Sequence, residues 1–246
     1  MSGCEKVNPY SGDSRHKSEQ VRDMFDNIAP AYDFMNRAMT LGIDRSWRAK
    51  AIAMVKARNP REILDVATGT ADLAIEMWRK MPHVKITGVD LSEGMIERGR
   101  TKVESLGASG QITLQTADCL SLPFADGSFD AVTVAFGVRN FENLGAGYRE
   151  MARVLRSGGM LTVVELSRPV NPIIKPFYNL YTRGVIPLFG RIVSSDSSAY
   201  RYLGESIAAV PQGEAMTRLM KESGFGETHS RPLTFGVCSI YTAVKE

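Results

Sequence analysis

The chain is predicted to fold as an α/β domain on a doubly wound, mostly parallel sheet of seven strands, with a late antiparallel strand. Three observations carry this prediction. Short apolar runs alternate with helix-period segments from residue 62 to residue 166. The first run turns through one glycine directly into a helix. After a last helix, two more strand-like runs, 225–230 and 237–244, read as a closing antiparallel pair.

The stretch 62–74 organises the rest. Residues 63–67 form an apolar run long enough for a buried strand. Thr68, Gly69 and Thr70 turn the chain, and Leu73, Ala74, Met77, Trp78 and Met81 then share one helical face. Gly69 lets backbone approach a ligand, and the free N–H groups of the helix start face it. The next strand, 84–90, ends in Asp90, placed about 20 residues on to accept ribose hydroxyls. A dinucleotide fingerprint needs three glycines; here Gly69 stands alone, with Ala71 at the second position. Asp65, just before the turn, repels phosphate and suits a cation. The pattern favours a phosphate-free, positively charged nucleoside such as S-adenosylmethionine, the plain alternative being a βαβ turn with no ligand.

The remaining elements follow in order. Residues 1–16 are polar and are expected to form a flexible tail ahead of a single domain, 17–246. Val21, Met24, Phe25 and Ile28 mark a helix that Pro30 stops; a second helix, 44–58, completes an N-terminal helical cap, 17–60. Ser92 is placed to cap a helix reaching Leu106. Strand three, 111–116, leads to Asp118 and Cys119, where a carboxylate can take the exocyclic amine of an adenine or simply cap a turn. Strand four, 131–136, is apolar along most of its length, as a central parallel strand should be. Arg139 and Asn140 lie just beyond its C-terminal end, where open α/β sheets bind ligands. Strand five, 160–166, precedes a lid-like insertion, 168–211, broken by prolines and basic at Arg168, Lys175, Arg183 and Arg191. It suits a greasy substrate or an anionic lipid surface; a helical cap packed on the core is the plain alternative.

A net charge of +3 with no basic, aromatic-laced stripe argues against nucleic acid as a partner. Cys4, Cys119 and Cys238 are odd in number and far apart, so no metal or disulfide pattern emerges and a reducing cytoplasm is expected. No signal-like segment opens the chain, and no apolar run approaches the ~18 residues of a membrane span. His16, His83 and His229 form no dyad or triad.

Two motifs carry a closer likeness. At Tyr32-Asp33-x-Met35-Asn36 followed by Gly42 and Trp47, and again over 153–167, the chain resembles the UbiE/MenG family of quinone C-methyltransferases, within the class I S-adenosylmethionine-dependent methyltransferases. The runs 136–140 and 200–207 are similar to family patterns as well. The family usually has Ser and His where Thr40 and Asp44 stand, Gly where Ala71 stands, and Lys-Pro where Arg156-Ser157 stand. The resemblance implies a Rossmann-like fold and S-adenosyl-L-methionine held by Asp65, Gly69, Thr70, Asp90, Asp118 and Cys119, with no metal. It implies methylation of a ring carbon of a prenylated quinol: demethylmenaquinol to menaquinol, the final step of menaquinone biosynthesis, or a ubiquinone-pathway benzoquinol. Arg139 and Asn140, with Tyr32, are expected to stabilise the developing phenolate, and Asp33 is a candidate base or a turn cap. Weak contact with the inner membrane face is expected, and a homodimer is left open. An NAD-dependent oxidoreductase is the alternative from another class, disfavoured by the missing glycines.

Overall fold

A computed structural model describes residues 3–185 and 197–246. Its N-terminal helices are α1 (Lys17–Ile28), α2 (Tyr32–Thr40) and α3 (Asp44–Lys56). The alternating part runs β1 (Glu62–Val66), α4 (Asp72–Lys80), β2 (Lys85–Asp90), α5 (Glu93–Ser105), β3 (Ile112–Thr116), β4 (Phe129–Ala135), α6 (Leu144–Val154) and β5 (Leu155–Leu166). Then come α7 (Ile174–Leu180), α8 (Ser197–Ala209), α9 (Glu214–Glu222), β6 (Phe225–Leu233) and β7 (Cys238–Lys245).

The strands form one sheet in the order β3-β2-β1-β4-β5-β7-β6. β1 pairs in parallel with β2 and β4, and β7 pairs antiparallel with both β5 and β6. β7 therefore runs against the other six. β1 leads outward through β2 to β3, and β4 then returns to its other side, which opens a crevice at the C-terminal ends of β1 and β4. Ile63, Leu64 and Val66 of β1 and Ala131, Val132 and Val134 of β4 are wholly buried, as the apolar runs require. Ser92 caps α5, its hydroxyl accepting from the Met95 N–H at 3.1 Å.

The N-terminus departs from expectation. Residues 3–16 were expected to hang loosely, yet Gly3–Lys6 form a 3₁₀ turn that buries Cys4 completely. The Leu144 N–H donates to Glu5 Oε1 at 2.9 Å. Buried Lys17 donates from Nζ to the carbonyls of Cys4 (2.7 Å), Arg139 (3.2 Å) and Phe141 (3.4 Å). Composition predicts a solvated tail; one ammonium that satisfies three carbonyls pins it down instead.

The insertion divides. α8 packs Ala199 and Tyr202 against Val21, Met24 and Ile28 of α1, which matches a helical cap. Around α7, Val170, Ile173 and Leu180 are exposed, which suits a lid or lipid edge. Pro187 and Arg191, with the rest of 186–196, lie outside the described residues. α2 is a helix that apolar spacing did not predict. It ends at Leu41 and Gly42, both at positive φ (51° and 73°), which swing the chain into α3.

Lys17→Met should remove the donor shared by three buried carbonyls. The expected cost is about 1–3 kcal/mol in chemical denaturation, with the secondary structure retained.

Candidate active site

The site begins with the turn after β1. Gly69 stands at φ +56°, and a Cβ there would meet the Tyr32 ring at 3.8 Å. Ala67 and Ala71 also adopt positive φ, 53° and 65°, so the backbone of this turn is held in a region that L residues avoid. What holds it is mostly carboxylate chemistry. Asp65, 1% exposed, accepts from the hydroxyls of Thr68 and Thr133, each at 2.6 Å. Asp90 accepts from the Gly69 N–H at 2.8 Å and the Ser92 N–H at 3.0 Å. Asp33 accepts from the Thr70 hydroxyl at 2.6 Å and pairs with Lys102 Nζ at 2.5 Å, which ties α2 to the turn.

Beyond the strand ends lies a cavity of about 770 Å³, open at one side. Tyr32, Gly69, Asp90, Asp118, Cys119 and Asn140 all line it, and Phe25 of α1 covers it. The fit to a nucleoside can be judged from these donors and acceptors. Each Asp90 oxygen takes one backbone N–H and keeps a lone pair for a ribose hydroxyl. Asp118 accepts from the Leu120 N–H at 2.8 Å, the turn cap anticipated as its plain role, and still lines the cavity with acceptor capacity left. Burial, with Asp118 and Asp90 nearby, raises the Cys119 thiol well above its ordinary range, so it stays protonated. Two carboxylates and an apolar floor suit a cationic, phosphate-free nucleoside.

A second, apolar chamber of about 1200 Å³, counted with its mouth, shares the Phe136 wall with the first and has Arg139 on its own wall. Met39, Leu41, Trp47, Phe136, Tyr178 and Tyr181 are among its walls. Arg139 is 7% exposed. Its Nη1 donates to Glu165 Oε1 at 2.8 Å and to the Phe136 carbonyl, and its own N–H reaches Glu165 Oε2 at 3.3 Å. Asp44 and Arg48 form a buried pair at 2.8 Å on the chamber wall, and the Thr40 hydroxyl donates to Asp44 at 2.7 Å. Thr40 and Asp44, the two departures in the first motif, are thus hydrogen-bonded to each other.

The structure therefore brings Tyr32, Gly69, Asp90, Asp118, Cys119 and Asn140 together, with Arg139 behind them facing the apolar chamber. Asp65 and Thr70 line a smaller cleft on the far side of Gly69, and their hydrogen bonds shape the turn. Asp33 changes role. Burial pushes its carboxyl up, but Lys102 and Thr70 outweigh that and hold it below its ordinary value, so it is a poor proton acceptor. Sequence reasoning missed Glu165, although an acid inside the apolar run of strand five was a visible signal. It also missed Lys102, which no motif marks.

The glycine-hinged turn, the acids ending β2 and following β3, and the sheet with one reversed strand define a class I methyltransferase that uses S-adenosyl-L-methionine. More narrowly, residues 13–245 match the model of the ubiE/COQ5 methyltransferase family, and the chain belongs to that family. It is 51% identical to the demethylmenaquinone methyltransferase of Bacteroides fragilis over 98% of both chains. It is 50% identical to that of Porphyromonas gingivalis over the full length of both. The ubiquinone/menaquinone biosynthesis C-methyltransferase UbiE of Geobacter sulfurreducens is 44% identical over 93% of this chain and 90% of its own. Solved structures share the fold at lower identity. The S-adenosylmethionine-dependent methyltransferase SibL superposes with a TM-score of 0.64 at 16% identity, covering 87% of this chain and 58% of its own. The [4+2]-cyclase SpnF superposes at 0.57 and 19%, covering 93% and 96%. The family sets aside the NAD-dependent oxidoreductase considered from the sequence.

Burial lifts the Asp65 carboxyl from 3.8 to about 6, although the Thr133 and Thr68 hydroxyls act the other way. The unfolded chain gives up this proton at lower pH than the folded one. The group's contribution to stability therefore falls as pH rises from 3.8 to about 6, by up to roughly 3 kcal/mol. Asp65→Asn should match the parent in thermal unfolding near pH 4 and exceed it at pH 7, while binding S-adenosylmethionine more weakly.

Proposed function

We propose that the protein methylates a ring carbon of a prenylated hydroquinone, demethylmenaquinol, to give menaquinol. The observation that carries this reading is Arg139: a buried cation, fixed by Glu165, on the wall of the apolar chamber and next in sequence to Asn140, which lines the nucleoside cavity. Bound S-adenosylmethionine supplies an electrophilic methyl group on a sulfonium. A ring carbon becomes nucleophilic enough when the neighbouring hydroxyl loses its proton. The methyl–carbon bond forms as the methyl–sulfur bond breaks, its electron pair staying on sulfur. The methylated carbon then loses its hydrogen as the ring regains aromaticity, for a net release of one proton. Arg139 stabilises the phenolate as a fixed positive charge in a water-poor site. Its pKa lies above the ordinary arginine value, because Glu165 outweighs burial, so it acts as a cation and not as a base. Burial raises the Tyr32 phenol, which keeps it a neutral hydrogen-bond donor on the wall of the nucleoside cavity. The naphthoquinol is preferred to a benzoquinol because the Bacteroides fragilis and Porphyromonas gingivalis relatives bear the name demethylmenaquinone methyltransferase.

The same reading accounts for the rim of the apolar chamber. Leu41 (77% exposed) and Ile43 (40%) line its mouth, and Phe235 (75%) adjoins Thr234, which also lines it. Ile173 (71%) adjoins Ile174 of the same wall. Arg168 and Lys175 lie in the same insertion. Among the described residues no helix is long and apolar enough to cross a membrane. A peripheral dock on anionic lipid would let a polyprenyl tail enter without crossing water.

Two measurements test the proposal. Arg139→Ala, made together with Glu165→Gln so that no buried carboxylate is left unpaired, should lower turnover of reduced demethylmenaquinone roughly 10²–10³-fold. Calorimetric affinity for S-adenosylmethionine should hardly change; equal loss of both would mark Arg139 as structural. The parent protein should float with phosphatidylglycerol vesicles, and Leu41→Ser with Phe235→Ser should abolish that flotation.

A further inference from the structure

Three buried polar atoms without a hydrogen-bond partner belong to side chains that line one small chamber. They are Arg139 Nε, Asn140 Oδ1 and the Tyr202 hydroxyl oxygen. All three side chains line a cleft of about 450 Å³, counted with its open side, whose other walls are chiefly apolar, Met24, Met35, Met39 and Ala199 among them. Tyr32 and Asn140 line both this chamber and the nucleoside cavity. Asn36, Met39, Arg139 and Leu203 line both this chamber and the large apolar one. The small chamber therefore lies between the methyl donor's site and the tail's site.

Buried polar atoms in folded proteins are almost always paired, because an unpaired one costs about 1–3 kcal/mol. Three in one cavity form a template for polar atoms that a ligand would bring. Tyr202 is 2% exposed and sits on α8, so the insertion contributes one of the three. Burial raises its phenol far above the ordinary range, although Arg139 pulls the other way, so it remains a neutral donor and acceptor. The Lys17 ammonium lies 5.8 Å from its ring centroid.

We propose that this chamber holds the acceptor ring, with Tyr202 as a substrate-contacting residue that donates a hydrogen bond to a ring oxygen. The inference rests on the methyl-transfer reading above and gives it a site for the ring. The complement is specific. Arg139 Nε–H and the Tyr202 O–H are donors for an ionised ring oxygen, and Asn140 Oδ1 is an acceptor for a ring hydroxyl. A quinol supplies the hydroxyl; the oxidised quinone has only acceptors and leaves Asn140 Oδ1 unpaired. The pocket therefore selects the reduced ring, the form whose carbon is nucleophilic.

Tyr202→Phe removes one oxygen and little else. With a short-chain demethylnaphthoquinol, kcat/KM should fall roughly 10- to 100-fold, the worth of a hydrogen bond to a charged group. S-adenosylmethionine affinity should stay within about twofold of the parent, since Tyr202 does not line that cavity. Tm should hold or rise, because an unpaired buried hydroxyl is gone. Ala199→Leu, which fills the chamber, should abolish quinol turnover and keep cofactor binding. Ring binding is read separately by quenching of tryptophan fluorescence, with quinol and quinone compared under anaerobic conditions. Equal binding of the two, unchanged kinetics in Tyr202→Phe, or a lowered Tm in that variant would each overturn the pocket. A parent protein that binds the quinol in preference to the quinone, weakened by Tyr202→Phe, but transfers no methyl group would support the pocket and overturn the reaction instead.

Discussion

Arg139 and Glu165 share a nearly dry interior, and the arrangement around them depends on that pairing. Glu165 belongs to β5, which lies between β4 and β7, and it pairs in register with Ser239 of β7, one residue past the last β4 pair, Ala135–Val164. Arg139 sits in a short turn just past β4, where no strand-to-strand backbone pairing holds it. The carboxylate reaches both the guanidinium and the backbone N–H of Arg139, and Lys17 grips the Arg139 carbonyl. A flexible side chain thereby becomes a stationary charge. Removing either partner alone would leave the other ionised in a low-dielectric setting, which is why such pairs are costly to break even where they add little net stability.

Around that stationary charge the space above the sheet falls into regions of different character. The nucleoside side is lined by carboxylates whose lone pairs are only partly used. The opposite side is lined mainly by Met, Leu, Ile and aromatic groups, and its charged residues are ion-paired, Arg139 with Glu165 and Arg48 with Asp44 and Glu76. A polar, charged cofactor and a greasy acceptor can thus approach one another without either being forced into the other's surroundings. α1 and α8 complete the enclosure through contacts with each other, so the N-terminal cap and the insertion act as one cover.

Much of this was legible in the residues because it is local. β1, its glycine turn and the α4 face follow from period and from backbone freedom at one residue, and Asp90 and Asp118 sit where strand ends put them. What was not legible depends on partners far apart in sequence. Asp33 looks like a free acid until Lys102 arrives from α5. The polar composition of the first residues says solvent, but three carbonyls converging on Lys17 say otherwise. Glu165 was visible as an oddity in a buried strand, yet its role needed the register that sets β5 beside β4. Thr40 and Asp44 looked like two independent departures from a motif and prove to be one hydrogen-bonded unit.

The exposed apolar ring around the large chamber has a kinetic corollary. On the lipid dock proposed above, a long-tailed product methylated at one ring carbon, as insoluble as its precursor, would leave by partition between protein and bilayer, with no aqueous stage. Turnover should then obey surface-dilution behaviour: the acceptor's mole fraction in the lipid, not its bulk concentration, sets the rate. Inert lipid or detergent added at fixed acceptor would slow the enzyme as a competitor would, without touching any residue of the site.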